Sequence, residues 1–250
     1  MIEVKGVAKE FAGQVVLEAI DLQIADNEFF VLVGPSGSGK TTLLKLLNRL
    51  EDPDGGQILI DGQDTQAMDL RDLRLEMGYV LQKIALFPNL TVLENIELIP
   101  EMKGMAKDVR RQKARDWLDR VGMAADVYAD RYPRELSGGE QQRVGILRAL
   151  IGEPKVLLMD EPFSALDPIT RRQLQDEMRD LQEKLDLTIV FVTHQMSEAL
   201  YLGGRICIIK DGRVQQVDTP EGIQAQPAND FVAEFFEKRG DANGSFTDNL

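Results

Sequence analysis

Cysteine and histidine are almost missing from this chain, with one of each, Cys207 and His194, in 250 residues. A lone cysteine cannot build an intramolecular disulfide framework, and it fits a reducing compartment. Nowhere do about 18 apolar residues run together, the length a helix needs to cross a bilayer, so the chain is not expected to span a membrane by itself. Any membrane role must come through partners. The opening, MIEVKGVAKEF, carries acidic residues and no long apolar run, which argues against a secretory signal. Positive charge is also scarce: 29 Lys and Arg stand against 42 Asp and Glu, a net charge of −13. Nucleic-acid binders need Lys and Arg surfaces to displace phosphate counterions, so no nucleic-acid partner is expected. The acidity is read as what keeps a cytosolic protein soluble. Internal repeats, low-complexity stretches and heptad runs are absent.

What is present reads as one α/β domain. Three apolar runs, Phe29 to Val33, Val156 to Met159 and Thr188 to Val192, look like buried parallel strands. Helix-type segments between them suit a doubly wound sheet, where ligands sit at the carboxyl ends of strands. The stretch up to about Ile24 reads as short β segments. Ile206 to Val217 reads likewise, with Asp211-Gly212 as a hairpin signal. From about 90 to 150 the pattern is helical, which suggests an inserted subdomain. Ala114, Trp117, Leu118 and Val121 share one helix face, so Trp117, the only tryptophan, is expected in the core. The end, from 239 onward, is polar and rich in Gly, Asn and Asp, and is expected to fray.

Two segments carry chemistry. Gly34-Pro35-Ser36-Gly37-Ser38-Gly39-Lys40-Thr41 matches G-x-x-x-x-G-K-[ST], directly after a strand and before a helical pattern, Thr42 to Leu50. Such a loop curls backbone N–H groups around a polyphosphate at a helix N-terminus. Lys40 is expected to reach the β- and γ-phosphates, and Thr41 to ligate Mg²⁺. Downstream, the strand from Val156 ends in Asp160-Glu161. Asp160 is placed to hold the Mg²⁺ shell, and Glu161 to polarise an attacking water as general base.

Leu136-Ser137-Gly138-Gly139-Glu140-Gln141-Gln142-Arg143 resembles the signature motif of the ABC ATPase family, ahead of a helical run from Gln141 to Ile151. With it the other family elements fall in order. Gln82, after the strand Gly78 to Leu81, occupies the Q-loop position near Mg²⁺ and the transporter contact. Ser164-Ala165-Leu166-Asp167 looks like the D-loop. His194 resembles the switch histidine that contacts the γ-phosphate, and Phe11 lies where the family stacks an aromatic ring on adenine, with core packing as the rival reading. Departures are few: Phe11 for the more usual Tyr, Leu147 for Ala, and Gln195 for Asp.

The resemblance covers residues 2 to 237. It implies a P-loop NTPase core of ABC ATPase type, with an N-terminal antiparallel β subdomain and an inserted helical signature subdomain. One ATPase domain over 1–237 and a C-terminal tail over 238–250 are expected. It further implies ATP and Mg²⁺ as ligands. Two copies would form a head-to-tail dimer with ATP at the interface, where Ser137, Gly138, Gly139 and Asp167 of one meet Gly34 to Thr42 of the other. Transmembrane permease subunits would hold the dimer at the cytoplasmic face of the membrane, fed indirectly by a substrate-binding protein. The stretches Gly78 to Gln82, Ala85 to Val92 and Glu94 to Pro100 resemble importers of osmoprotectants such as glycine betaine, choline or carnitine. No regulatory pair of CBS domains, frequent in that subfamily, is present in these 250 residues. Import of another polar solute, such as an amino acid, is the alternative cargo. A soluble ABC ATPase acting on DNA or ribosomes is a more distant alternative.

Overall fold

The computed structural model describes residues 1–83 and 85–240. The described chain divides into two compact units, Met1–Met68 with the described residues from Val190 to Gly240, and Asp69–Ile189.

The first unit opens with a hairpin of β1 (Ile2–Phe11) and β2 (Gln14–Ile24). Ala12 and Gly13 turn it with φ of 49° and 83°, the left-handed pair that a tight hairpin turn requires. Ala-Gly is a weak turn signal, and the strands are bulged between Val4 and Glu10. The sequence therefore suggests short segments where two long strands stand. Then come β3 (Phe29–Val33), α1 (Lys40–Leu47), β4 (Gly55–Ile60) and β5 (Gln63–Asp64). One sheet runs in the order β2-β1-β4-β5, all antiparallel. Its inner face is lined by Ile2, Val4, Val7, Leu17, Ile20, Leu22 and Ile58, all buried.

The second unit holds α2 (Leu70–Leu75), β6 (Met77–Val80), α3 (Val92–Met102), α4 (Lys107–Arg120), α5 (Ala125–Tyr128), α6 (Gly138–Leu150), β7 (Val156–Asp160) and α7 (Pro168–Leu185). β6 and β7 pair in parallel, from Met77 against Val156 to Val80 against Met159. The four helices α3 to α6 form the expected helical insert. Ala114, Trp117 and Leu118 are buried, whereas Val121 lies one residue past α4 and is half-buried. Asn95 is fully buried, and its Nδ2 donates to the carbonyls of Phe87, Leu90 and Thr91. That side chain pins the segment leading into α3, because a buried amide left unmatched costs more than a matched one stabilises.

β8 (Thr188–Thr193) carries the chain back into the first unit, followed by α8 (Met196–Leu202), β9 (Arg205–Lys210), β10 (Arg213–Asp218), α9 (Pro220–Ala225) and α10 (Asp230–Gly240). Here the strand order is β10-β9-β3-β8, with β3 parallel to β9. Every residue of β3 and β8 is buried, as expected of strands covered on both faces. Asp211 and Gly212, at φ of 49° and 73°, turn β9 into β10 as the sequence signals. Cys207 is buried in β9, and burial pushes its thiol far above the usual range, which makes it inert. Among the described residues, no helix is long and apolar enough to cross a membrane. α10 runs through Gly240, past the expected domain end at 237, and residues 241–250 lie outside the described residues.

Candidate functional site

In the first unit the loop between β3 and α1 closes on its own lysine. Lys40 is 5% exposed, and its Nζ donates to Gly34 O at 3.0 Å, Pro35 O at 2.8 Å and Ser38 Oγ at 3.3 Å. An ammonium holding two backbone carbonyls bends the loop around itself, so the charge sits at the loop's centre. Gly39 makes this possible. Its φ is 100°, and a Cβ there would stand 2.5 Å from Leu17 Cδ2 and 2.9 Å from Val16 O. Gly39 also caps α1 without a side chain, and α1 has no acid in its first turn. The N–H groups that open a helix have no intrahelical acceptor, so this end suits an anion. Thr41 and Thr42 lie in that first turn, while Ser36 and Gly37 are exposed at the loop's tip.

Phe11 is 41% exposed, with Lys9 Nζ 5.1 Å from its ring centre, so it is not a core residue. His194 follows β8 directly and is half-buried. The turn around it is set by Thr193, whose buried hydroxyl donates to Glu198 Oε2 at 2.6 Å and accepts from Gln195 N at 3.0 Å.

In the second unit β7 delivers the acid pair. Asp160 is its last residue and is 6% exposed. Glu161 comes next with φ of 42°, a left-handed conformation that costs a non-glycine residue about 1–3 kcal/mol. That turn takes the Glu161 side chain out of the strand's alternation. Gln82 lies past the end of β6, and its Nε2 donates to Glu161 Oε2 at 3.2 Å. Residues 79 positions apart are thus joined, and the oxygen of the Gln82 amide is left as the end able to meet a cation. Within this unit Gln82 and Asp160 offer an amide oxygen and a carboxylate. This hard-oxygen set fits Mg²⁺, which takes few protein ligands and fills its shell with water and phosphate oxygens. Among the described residues, no three His, Cys, Asp or Glu side chains group to hold a metal.

The signature segment is helix, not loop. α6 begins at Gly138, three residues before the run expected from Gln141, so both glycines belong to its first turn. Ser137 is the N-cap, exposed, and locked with Glu140 in a reciprocal capping box. The two glycines differ. A Cβ at Gly139 would meet Thr170 Cγ2 of α7 at 2.6 Å, so a side chain there would have to displace that methyl, whereas a Cβ at Gly138 would meet nothing within 4 Å. Asp167 caps α7 by accepting from Ile169 N and Thr170 N at 3.1 Å each. Its hydrogen bonds to Thr170 hold its carboxyl below the usual range. Asp167 thus has a structural role whatever else it touches. Sequence reasoning assigned nothing to Glu140 individually, although Ser-x-x-Glu is a legible capping signal, and nothing local marks Tyr128, whose hydroxyl donates to Glu140 Oε1 at 2.7 Å.

Residues 17–164 match the family model described as ABC transporter. Over 239 residues the chain is 50% identical to the glycine betaine/carnitine/choline transport ATP-binding protein OpuCA of Bacillus subtilis, covering 95% of this chain and 63% of that protein. It is 47% identical over 241 residues to the osmoprotectant import ATP-binding protein OsmV of Salmonella typhimurium, covering 94% of this chain and 63% of that one. The chain therefore spans under two thirds of the length of these curated relatives. Among solved structures, the dimeric post-hydrolysis state of the ATP-binding cassette MJ0796, bound to ADP and Pi, is similar at TM-score 0.78. That match has 35% identity and covers 88% of this chain and 98% of that one. On the family match and the identity to these relatives, the chain belongs to the ABC transporter family.

Proposed function

We propose that this cassette binds and hydrolyses ATP to power import of a small quaternary-ammonium osmoprotectant through a transmembrane permease. The observation that carries the ATPase reading is the loop closed on Lys40, set at a helix start with no acid in its first turn. Lys40 and the loop amides of Gly34 to Thr42 bind the phosphates. Phe11 offers its exposed ring to the adenine base. Thr41, Asp160 and Gln82 would hold Mg²⁺, which would supply charge to screen the phosphates. Glu161 takes the proton of the attacking water, oriented by the Gln82 amide, and His194 meets the γ-phosphate.

Ser137, Gly138 and Gly139 stand at the exposed start of α6. Their role is in trans, against Gly34 to Thr42 of a second copy, with Asp167 at the same interface. The dimeric state of MJ0796 supports this reading. Gly138 supplies a test, since its open surroundings mean that alanine meets no obstacle within the chain. Gly138→Ala is expected to leave the protein as stable as before, or up to about 1 kcal/mol more stable, by removing a helical glycine. It is also expected to raise the ATP concentration needed for dimerisation. Unchanged dimerisation alongside an unchanged melting temperature would remove Gly138 from the interface.

The cargo reading rests on the similarity to OpuCA and OsmV, whose names describe betaine, carnitine, choline and osmoprotectant transport. The permease places the dimer on the cytoplasmic face of the membrane, and a substrate-binding protein delivers the solute. Deleting the gene in its host should abolish uptake of labelled glycine betaine, choline or carnitine at high osmolarity, with recovery from the intact gene but not from Glu161→Gln. Loss of amino-acid uptake, with betaine uptake intact, would reassign the cargo while leaving the ATPase reading in place.

A further inference from the structure

The hydroxyl of Ser137 is already committed. Ser137 Oγ donates to Glu140 Oε2 at 2.7 Å, Ser137 N donates to the same oxygen at 2.7 Å, and Ser137 Oγ accepts from Glu140 N at 3.3 Å. The other carboxylate oxygen, Oε1, accepts from the Tyr128 hydroxyl at 2.7 Å. Tyr128 sits on α5, and the Arg131 guanidinium lies over its ring at 4.7 Å. Three donors on one carboxylate keep it ionised, with the Tyr128 hydrogen bond the largest cause and the Ser137 N–H next. Glu140 is thereby fixed from two sides, by α5 and by the N-cap of its own helix.

The geometry points to Glu140 as a latch on the signature serine, competing with the γ-phosphate of a partner-bound ATP for the Ser137 hydroxyl proton. This rests on the reading that Ser137 meets ATP in trans. Ser137 has one hydroxyl hydrogen, so it donates to Glu140 or to a phosphate oxygen, not to both. A hydrogen bond to an ionised carboxylate is roughly twice as strong as a neutral one, so the serine leaves it only for another strong anion. Glu140 is therefore a positioning residue: it sets the ATP occupancy at which two cassettes close without itself touching the reacting atoms. Tyr128 holds the carboxylate in the orientation that reaches Ser137.

The test is the ATP concentration for half-maximal dimerisation, followed by analytical ultracentrifugation in the Glu161→Gln background to suppress turnover. Glu140→Gln keeps the shape, and a capping box accepts Gln as readily as Glu, so α6 should still start at Gly138; an unchanged melting temperature checks this. Neutralising the acceptor is expected to lower the midpoint about fivefold. In a Ser137→Ala background, where the midpoint is itself raised, Glu140→Gln should produce no further shift. An equal shift with and without the serine hydroxyl would overturn the latch and make Glu140 a bulk charge effect. An unchanged or raised midpoint, with Ser137→Ala still weakening the dimer, would overturn the latch and leave the in-trans role of Ser137 intact. Failure of the Glu161→Gln protein to dimerise although ATP binds would overturn both.

Discussion

Glu161→Gln is expected to slow ATP hydrolysis about 10²–10⁴-fold, the usual range for loss of a general base, while ATP still binds. Glutamine has the shape of glutamate but no carboxylate to accept the proton of water. Glu161 is held for that task by two features, its left-handed φ of 42° at the exit of β7 and the Gln82 Nε2 donor at 3.2 Å. Neither feature contributes to the loop around Lys40, so nucleotide affinity should be preserved. With hydrolysis blocked, the monomer should convert to an ATP-dependent dimer in size-exclusion chromatography. Turnover at the normal rate would move the base elsewhere, with His194 the next candidate. A variant that binds ATP yet stays monomeric would keep the catalytic assignment and overturn the in-trans role of Ser137.

Lys40→Ala is expected to remove measurable ATP binding at physiological salt. Truncating one partner of a buried charged pair costs about 2–5 kcal/mol, a loss of affinity of about 30-fold or more. A second loss adds to it. The ammonium now holds the Gly34 and Pro35 carbonyls, and without it the curl of the loop that aims the α1 N–H groups at a phosphate loses its tie. Lys40→Arg should fare poorly as well, because a planar fork does not fit a pocket shaped for a point charge only 5% exposed. Equilibrium binding of a fluorescent ATP analogue checks both variants, and retained affinity in Lys40→Ala would overturn the role given to this loop.

Much of this architecture is legible in the chain because its signals are local. A five-residue apolar run such as Phe29 to Val33 has to be buried wherever it occurs, and Asp211-Gly212 adopts left-handed φ values cheaply in any context. The spacing of Gly34, Gly39 and Lys40 is likewise a property of one short loop. Other elements resist such reading. Ala12-Gly13 turns a long hairpin without a strong turn residue, and it holds because the paired strands on either side supply what the turn lacks. The signature glycines look like a flexible loop in sequence, yet they form the first turn of α6, because Ser137 and Glu140 satisfy each other's backbone N–H groups.

Residue types in a fixed spacing by themselves determined the glycine-rich loop around Lys40, the acid pair after a buried strand and the lone histidine after β8. Each of these needs only neighbours within a few positions, which is why a linear text suffices. Only the tertiary structure decided that Gln82 reaches Glu161 across 79 residues, that Gly139 abuts the Thr170 methyl of α7 while Gly138 faces open space, that Phe11 faces outward, and that Tyr128 holds the carboxylate gripping Ser137. Those facts depend on side chains from distant elements arriving within hydrogen-bond or van der Waals reach. Strand pairing and helix packing set that proximity, and no local pattern encodes it.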